Sequence, residues 1–253
     1  MTTVIAVANQ KGGVGKTTTT ANLGASLAAL GQRVLLIDLD PQGNLTSAYG
    51  LERKVEITVA ESLLDRNTPL PIHTIESADQ HSISVVPATI GLATTEAALM
   101  TKLGREQRLR DQILAVAEQF DFILIDTPPS LGLLTINALV AADKVIIPTE
   151  ARFFSIQGLQ MLEESISEIL YLNSSLKVLG ILLSKLDRRL REERAVSTYL
   201  REKWGDTVFS TEIGTNSKIL EAGSAGASVF RYSGAEKAAE AYLELAREVI
   251  SRV

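Results

Sequence analysis

Lys11-Gly12-Gly13-Val14-Gly15-Lys16-Thr17-Thr18 is the segment whose residue types and spacing imply chemistry most directly. Glycines at 12, 13 and 15 let backbone N–H groups turn inward and form a cradle for anionic oxygens. Lys16 then stands where an ammonium would reach the β- and γ-phosphates of a nucleotide. The Thr17 hydroxyl stands where it would ligate Mg²⁺, and Thr18 could assist at the α-phosphate. The segment follows a short apolar run and precedes an Ala- and Leu-rich stretch, so a helix N-terminus adds its positive end. One feature departs from the strict G-x-x-x-x-G-K-[ST] pattern. Position 10 is Gln10 instead of glycine, and a second lysine, Lys11, opens the loop.

Two further apolar runs end in acid. Leu35-Leu36-Ile37-Asp38-Leu39-Asp40 is one; Phe122-Ile123-Leu124-Ile125-Asp126 is the other. If these are parallel strands, their carboxylates emerge at the carboxyl edge of the sheet, where ligands of open α/β folds sit. Asp126 at this distance after a phosphate loop fits a residue that holds Mg²⁺ through a water.

The elements that must position these groups alternate. Strands are expected at 4–8, 34–38, 83–86, 122–126, 144–148 and 178–184, with a weaker one at 207–209. Helices are expected at 16–30, 103–119, 157–172 and 235–253. Most of the strands are continuously apolar, as strands covered on both faces are. The expected fold is a doubly wound α/β sheet, mostly parallel and flanked by helices, in a single domain spanning 1–253. Residues 51–81 are the least regular and read as an insertion of helix and loop.

The chain has 253 residues, 45% hydrophobic and 22% charged, with net charge -5 and no cysteine. Without cysteine, disulfides, thiolate zinc sites and iron–sulfur clusters are out of reach, and a reducing compartment is expected. No basic n-region precedes the first strand, and no apolar stretch approaches the roughly 18 residues of a membrane span. An acidic chain can bind nucleic acid only through a local basic patch.

K-G-G-V-G-K-T-T resembles the deviant Walker A loop of the MinD/ParA superfamily, and over residues 3–253 the chain is most similar to the short ParA/Soj partition ATPases. D-x-D-P-Q-G-N at Asp38–Asn44 and D-T-P-P at Asp126–Pro129 resemble that family's two switch segments. The resemblance implies ATP and Mg²⁺ as cofactors and slow hydrolysis. It implies that Lys11 reaches across an ATP-dependent homodimer to the partner's phosphates, as an arginine finger does. Asp40 would position or activate the attacking water, and Asp38 would lie near the metal. Nitrogenase-type reductases of this superfamily are excluded, because their cluster needs cysteines.

Ser184-Lys185-Leu186-Asp187 resembles the [NT]-K-x-D segment with which GTPases read guanine, so Lys185 and Asp187 are candidates at the base. ATP is nonetheless expected from the type of phosphate loop. In the family the base also meets the loop that here contains Ile213, Gly214, Thr215 and Asn216; many relatives have proline where this chain has Gly214.

From Lys185 to Lys203 there are seven basic and four acidic residues. Read alone, this is as well explained by a solvated helix face with paired charges as by a phosphate-binding patch. The resemblance implies non-specific double-stranded DNA binding here, by Arg188, Arg189, Arg191 and Arg194, with Lys218 in a matching position further on. No helix-turn-helix segment precedes the phosphate loop, so operator-specific repression is not expected. The resemblance further implies a cytoplasmic, nucleoid-associated protein with a ParB-like partner that stimulates hydrolysis. Two alternatives share the chemistry: positioning of a protein cargo over the nucleoid, and MinD-like action at a membrane. The last helix argues against the membrane. Glu240, Glu244 and Glu248 and its small apolar residues make a poor anchor, and residues 226–253 resemble the ParA C-terminal pattern instead.

Overall fold

The computed structural model describes residues 1–52, 55–75, 82–224, 228–230 and 232–253. Its strands are β1 (Thr3–Val7), β2 (Val34–Asp38), β3 (His73–Ile75), β4 (Ile83–Val86), β5 (Phe122–Asp126), β6 (Lys144–Glu150), β7 (Lys177–Leu186) and β8 (Val208–Gly214). They form one sheet in the order β3-β4-β2-β5-β1-β6-β7-β8. All pairs are parallel except β3 with β4. From β1 the chain crosses to β2 on one side; from β5 it crosses back over β1 to β6. The carboxyl end of β1 therefore lies where the connections diverge, the position at which such sheets bind ligands.

The continuous apolar runs are explained by two covered faces. Leu35 and Ile37 of β2 enter one core and Val34 and Leu36 the other. One face carries α1 (Lys16–Ala29) and α10 (Glu236–Arg252). Gly24 lets α1 lie on β2, since a Cβ there would stand 2.6 Å from Leu36 Cδ2. The other face carries α3 (Val59–Leu64), α4 (Gly91–Leu99), α5 (Arg108–Leu114), α6 (Leu133–Ala141), α7 (Phe153–Ile169) and α8 (Arg191–Trp204). Two short helices sit at the carboxyl edge, α2 (Asn44–Ala48) and α9 (Ser217–Ser224).

The expected sheet and its flanking helices are present, with corrections. The helix expected at 103–119 is interrupted. A 3₁₀ turn at Arg105–Gln107 leads into α5, and the chain leaves helical geometry at Val116 before a second 3₁₀ turn. Tertiary contact outweighs helical propensity here: the side chain of Asn137 on α6 accepts the Leu109 N–H at 3.1 Å and fixes where α5 begins. The weak strand at 207–209 extends to Gly214, and β3, α4 and α6 were not expected. The irregular region holds α3, started by a capping box of Thr58 and Glu61, and the edge strand β3. Its residues 53–54 and 76–81, and residues 225–227 and 231 of the C-terminal segment, lie outside the described residues.

The final helix is docked. Tyr242, Leu245, Ala246 and Val249 of α10 are buried against α1 and β8. Among the described residues no helix is long and apolar enough to cross a membrane.

Candidate active site

β1 delivers the chain into the phosphate loop at the carboxyl edge. Gly13 and Gly15 take φ of 77° and 88°, the left-handed region where a side chain would be strained. The loop is tied from behind. The Ser184 hydroxyl donates to the Val14 carbonyl at 2.7 Å and to the Thr149 carbonyl at 3.2 Å. The Asn9 amide donates to the Pro148 carbonyl at 2.7 Å and its Oδ1 accepts the Lys11 N–H at 2.9 Å. Val14 is buried and stands behind the loop, outside the cleft wall. Gly12, Gly13, Gly15, Lys16, Thr17 and Thr18 line a cleft of about 880 Å³. Asp40 faces them, and Ile219 and Gly223 of α9 also line the cleft. The volume suits a nucleotide.

Lys16 is buried, its Nζ donating to the Lys11 carbonyl at 3.2 Å. Burial pulls its pKa below the usual lysine value, against the attraction of Asp126 and Asp40. Asp38 and Asp126 are register partners on neighbouring strands, and both are fully buried. Burial first, and then the facing Asp38, raise Asp126 well above the ordinary carboxylate range. Burial raises Asp38 to about 6, against its hydrogen bonds from Thr46 and Asp40. The two acids differ in what they hold. Asp38 is committed to protein: Oδ1 accepts the Asp40 N–H at 3.1 Å, and Oδ2 accepts the Thr46 N–H at 2.8 Å and hydroxyl at 2.7 Å. Among the described residues Asp126 Oδ2 has no hydrogen-bond partner. An orphaned carboxylate oxygen beside Lys16 and Thr17 fits a site for a hydrated divalent cation. Thr17 and Asp126 are the residues that would hold it.

A family model described as an AAA domain matches residues 2–178. The chain is 44% identical over 248 residues to the sporulation initiation inhibitor protein Soj of Bacillus subtilis, covering 97% of each. It is 41% identical over 252 residues to the chromosome partitioning protein ParA of Caulobacter vibrioides, covering 98% of this chain and 94% of that one. The chain belongs to the ParA/Soj family of partition ATPases. Among solved structures it is similar to one described as cobyrinic acid a,c-diamide synthase from Mycobacterium smegmatis with bound ADP and magnesium. The TM-score is 0.82 at 36% identity, with 98% of this chain and 93% of that chain covered.

Within this ParA/Soj chain, the second lysine of the loop is paired to the end of a neighbouring strand. Lys11 Nζ lies 3.4 Å from Glu150 Oε2 at the end of β6, and Lys11 is not part of the cleft wall. Of the base candidates only Lys185 lines the cleft, its ammonium donating to the Gly13 carbonyl. Lys185 is also, among the described residues, the non-glycine residue with positive φ, at 54°. Asp187 stands outside the wall, gripped by Arg189 through Nε at 2.9 Å and Nη2 at 2.7 Å; Arg189 holds its pKa down to about 2. Ile213 is buried, and the Thr215 hydroxyl donates to the Lys185 carbonyl at 2.8 Å; neither lines the cleft.

The DNA candidates are largely occupied within the chain. Arg188 pairs with Glu212, Arg189 with Asp187, and Lys218 with Glu221 at 2.7 Å. Arg194 donates to the carbonyls of Arg188 and Arg189 at 2.6 Å and 3.1 Å. Arg191, exposed at the first turn of α8, has no ion-pair partner among the described residues.

The sequence reading missed Asn9, Thr46 and Glu150. A signal existed for Glu150, which ends a strand at the ligand edge. Thr46 carries no motif; only the fold brings it onto Asp38.

Proposed function

We propose that this chain is a Mg²⁺-dependent ATPase whose ATP-bound form pairs with a second copy and holds double-stranded DNA without sequence preference. A ParB-like partner stimulates hydrolysis and ends the hold, and repeated cycles segregate chromosome or plasmid DNA. The observation that carries the pairing is Lys11: a phosphate-loop lysine that does not line its own cleft and is held by an exposed ion pair is available to another.

In each cleft the loop N–H groups and Lys16 bind the phosphates, and Asp40 orients a water for attack. Mg²⁺, held by Thr17 and Asp126, would neutralise phosphate charge when bound. Lys11 of the second copy adds a cation as negative charge develops, so pairing and catalysis are one event. Adenine is favoured over guanine by the type of phosphate loop, and Asp187, the acid that would read guanine, does not line the cleft. The relative named a chromosome partitioning protein supports a DNA cargo. A protein cargo carried over the nucleoid would use the same cycle. The membrane reading has less support, since the apolar face of α10 is covered by α1 and β8.

The test is retention on random-sequence DNA at graded salt, with ATP, ADP or no nucleotide. Retention is expected with ATP alone, strengthened by Asp40→Ala, which stalls hydrolysis, and abolished by Lys16→Ala. Absence of retention in every nucleotide state at low salt would reject the DNA reading.

A further inference from the structure

Glu150 is the last residue of β6, beside the phosphate loop because β6 pairs with β1. Its side chain is 16% exposed and three cations converge on it. Oε2 lies 3.4 Å from Lys11 Nζ and 3.3 Å from Arg152 Nε; Oε1 lies 3.7 Å from Lys185 Nζ. One carboxylate thus serves three positive groups. The cluster stays net positive, and the carboxylate keeps two cations whichever single one leaves.

We propose that Glu150 is a positioning residue for Lys11: it parks the ammonium within its own subunit and sets how readily that lysine is released to the nucleotide of a second copy. The inference rests on the trans role of Lys11 argued above. The latch is weak by construction. The ion pairs are long, Lys11 is 42% exposed on its side chain, and pairs of that kind contribute little in water. A nucleotide triphosphate carries more charge than one carboxylate already shared with Arg152 and Lys185, so it wins the lysine once a second subunit brings it within reach. Arg152 and Lys185 then keep Glu150 paired, and the exchange strands no charge at the loop. A stronger latch would block pairing; no latch would let Lys11 sample the solvent or its own phosphates.

Pairing of the full chain is measured by sedimentation velocity with Mg²⁺ and a non-hydrolysable ATP analogue. The variants are Glu150→Gln, Glu150→Asp and Lys11→Ala. Glu150→Gln is expected to tighten the dimer by about two- to thirty-fold, the scale of two exposed ion pairs, one in each subunit. Glu150→Asp should lie between wild type and Gln. A damaged fold would not produce tighter pairing. Equal or weaker pairing by Glu150→Gln overturns the proposal. If Lys11→Ala pairs as wild type does, the trans reading fails and the latch with it; if Lys11→Ala fails to pair while Glu150→Gln matches wild type, only the latch fails. A second measurement uses the wild-type monomer, with amine acetylation read by mass spectrometry. Lys11 should label more slowly than the exposed Lys102 at low salt and approach its rate as salt screens the pair. Equal rates at every salt concentration overturn the latch even if Glu150→Gln does not fold.

Discussion

Asp40 can orient a water only if its loop is held still, and the holding is done by residues that touch no substrate. Asp38 directs both carboxylate oxygens into that loop, and Thr46 closes the clamp. Its hydroxyl donates to Asp38 at 2.7 Å and accepts the Ala88 N–H at 2.8 Å, which ties the loop to the end of β4. Thr46 is 1% exposed, so water cannot replace a lost hydroxyl. Thr46→Val keeps the shape and removes both bonds, leaving a buried carboxylate oxygen and a buried N–H short of a partner. The cost is expected to be about 1–3 kcal/mol of stability in urea unfolding. ATP affinity should stay close to wild type, because the phosphate loop is untouched, while kcat should fall about ten-fold as Asp40 loses its fixed position. Thr46→Ser should recover most of the rate. A kcat equal to wild type in Thr46→Val would mean that the backbone bonds of Asp40 to Asp38 and of Gln42 to Asp40 hold the loop without the hydroxyl.

At the scale of elements, the central strands were legible because a sheet covered on both faces leaves no room for polar residues in β2 and β5. The two acidic strand ends followed from the same pattern, since each run stops where the sheet meets the cleft. Other elements were hidden for physical reasons. α6 is apolar on nearly every side, Leu133 to Ala141, because helices and sheet surround it, so it shows no helical period. β3 is three residues on an edge, too short to show a pattern. The helix expected at 103–119 has good spacing but is divided by its contacts with α6. The clamp on Asp38 and the cation cluster on Glu150 join residues far apart in the chain, and no local pattern announces them. The last helix was legible as a docked element. Its apolar stripe is spent on α1 and β8, with Tyr242 2% exposed at the centre. Tyr242→Ala should therefore cost about 3–5 kcal/mol, as large aromatic truncations in cores do. Urea denaturation measures the loss. Liposome flotation, run on wild type beside it, should detect no binding; flotation that Tyr242→Ala abolished would assign α10 to a membrane.

For the whole molecule, charge decides how DNA can be held. The chain carries net charge -5, and most of the arginines singled out in the sequence spend their charge on neighbouring acids or carbonyls. A lone chain should therefore bind DNA poorly, and retention should depend on pairing, which doubles every contact and can align two weak patches on one duplex. Within the patch, Arg191, exposed and without an ion-pair partner among the described residues, is the cation most ready to meet a phosphate. Arg191→Ala should lower the slope of log affinity against log salt by about one for each subunit that contacts DNA. The basal ATPase rate should not move, because Arg191 is absent from the cleft wall. Lys218 makes the contrasting case, since Glu221 must release it first. Glu221→Gln should strengthen retention if Lys218 is a contact and leave it unchanged if it is not. Should Arg191→Ala keep the wild-type slope while Glu221→Gln raises retention, the duplex lies along α9. It then runs beside Ile219 and Gly223, the α9 residues that line the nucleotide cleft, and one short helix would report the nucleotide to the DNA.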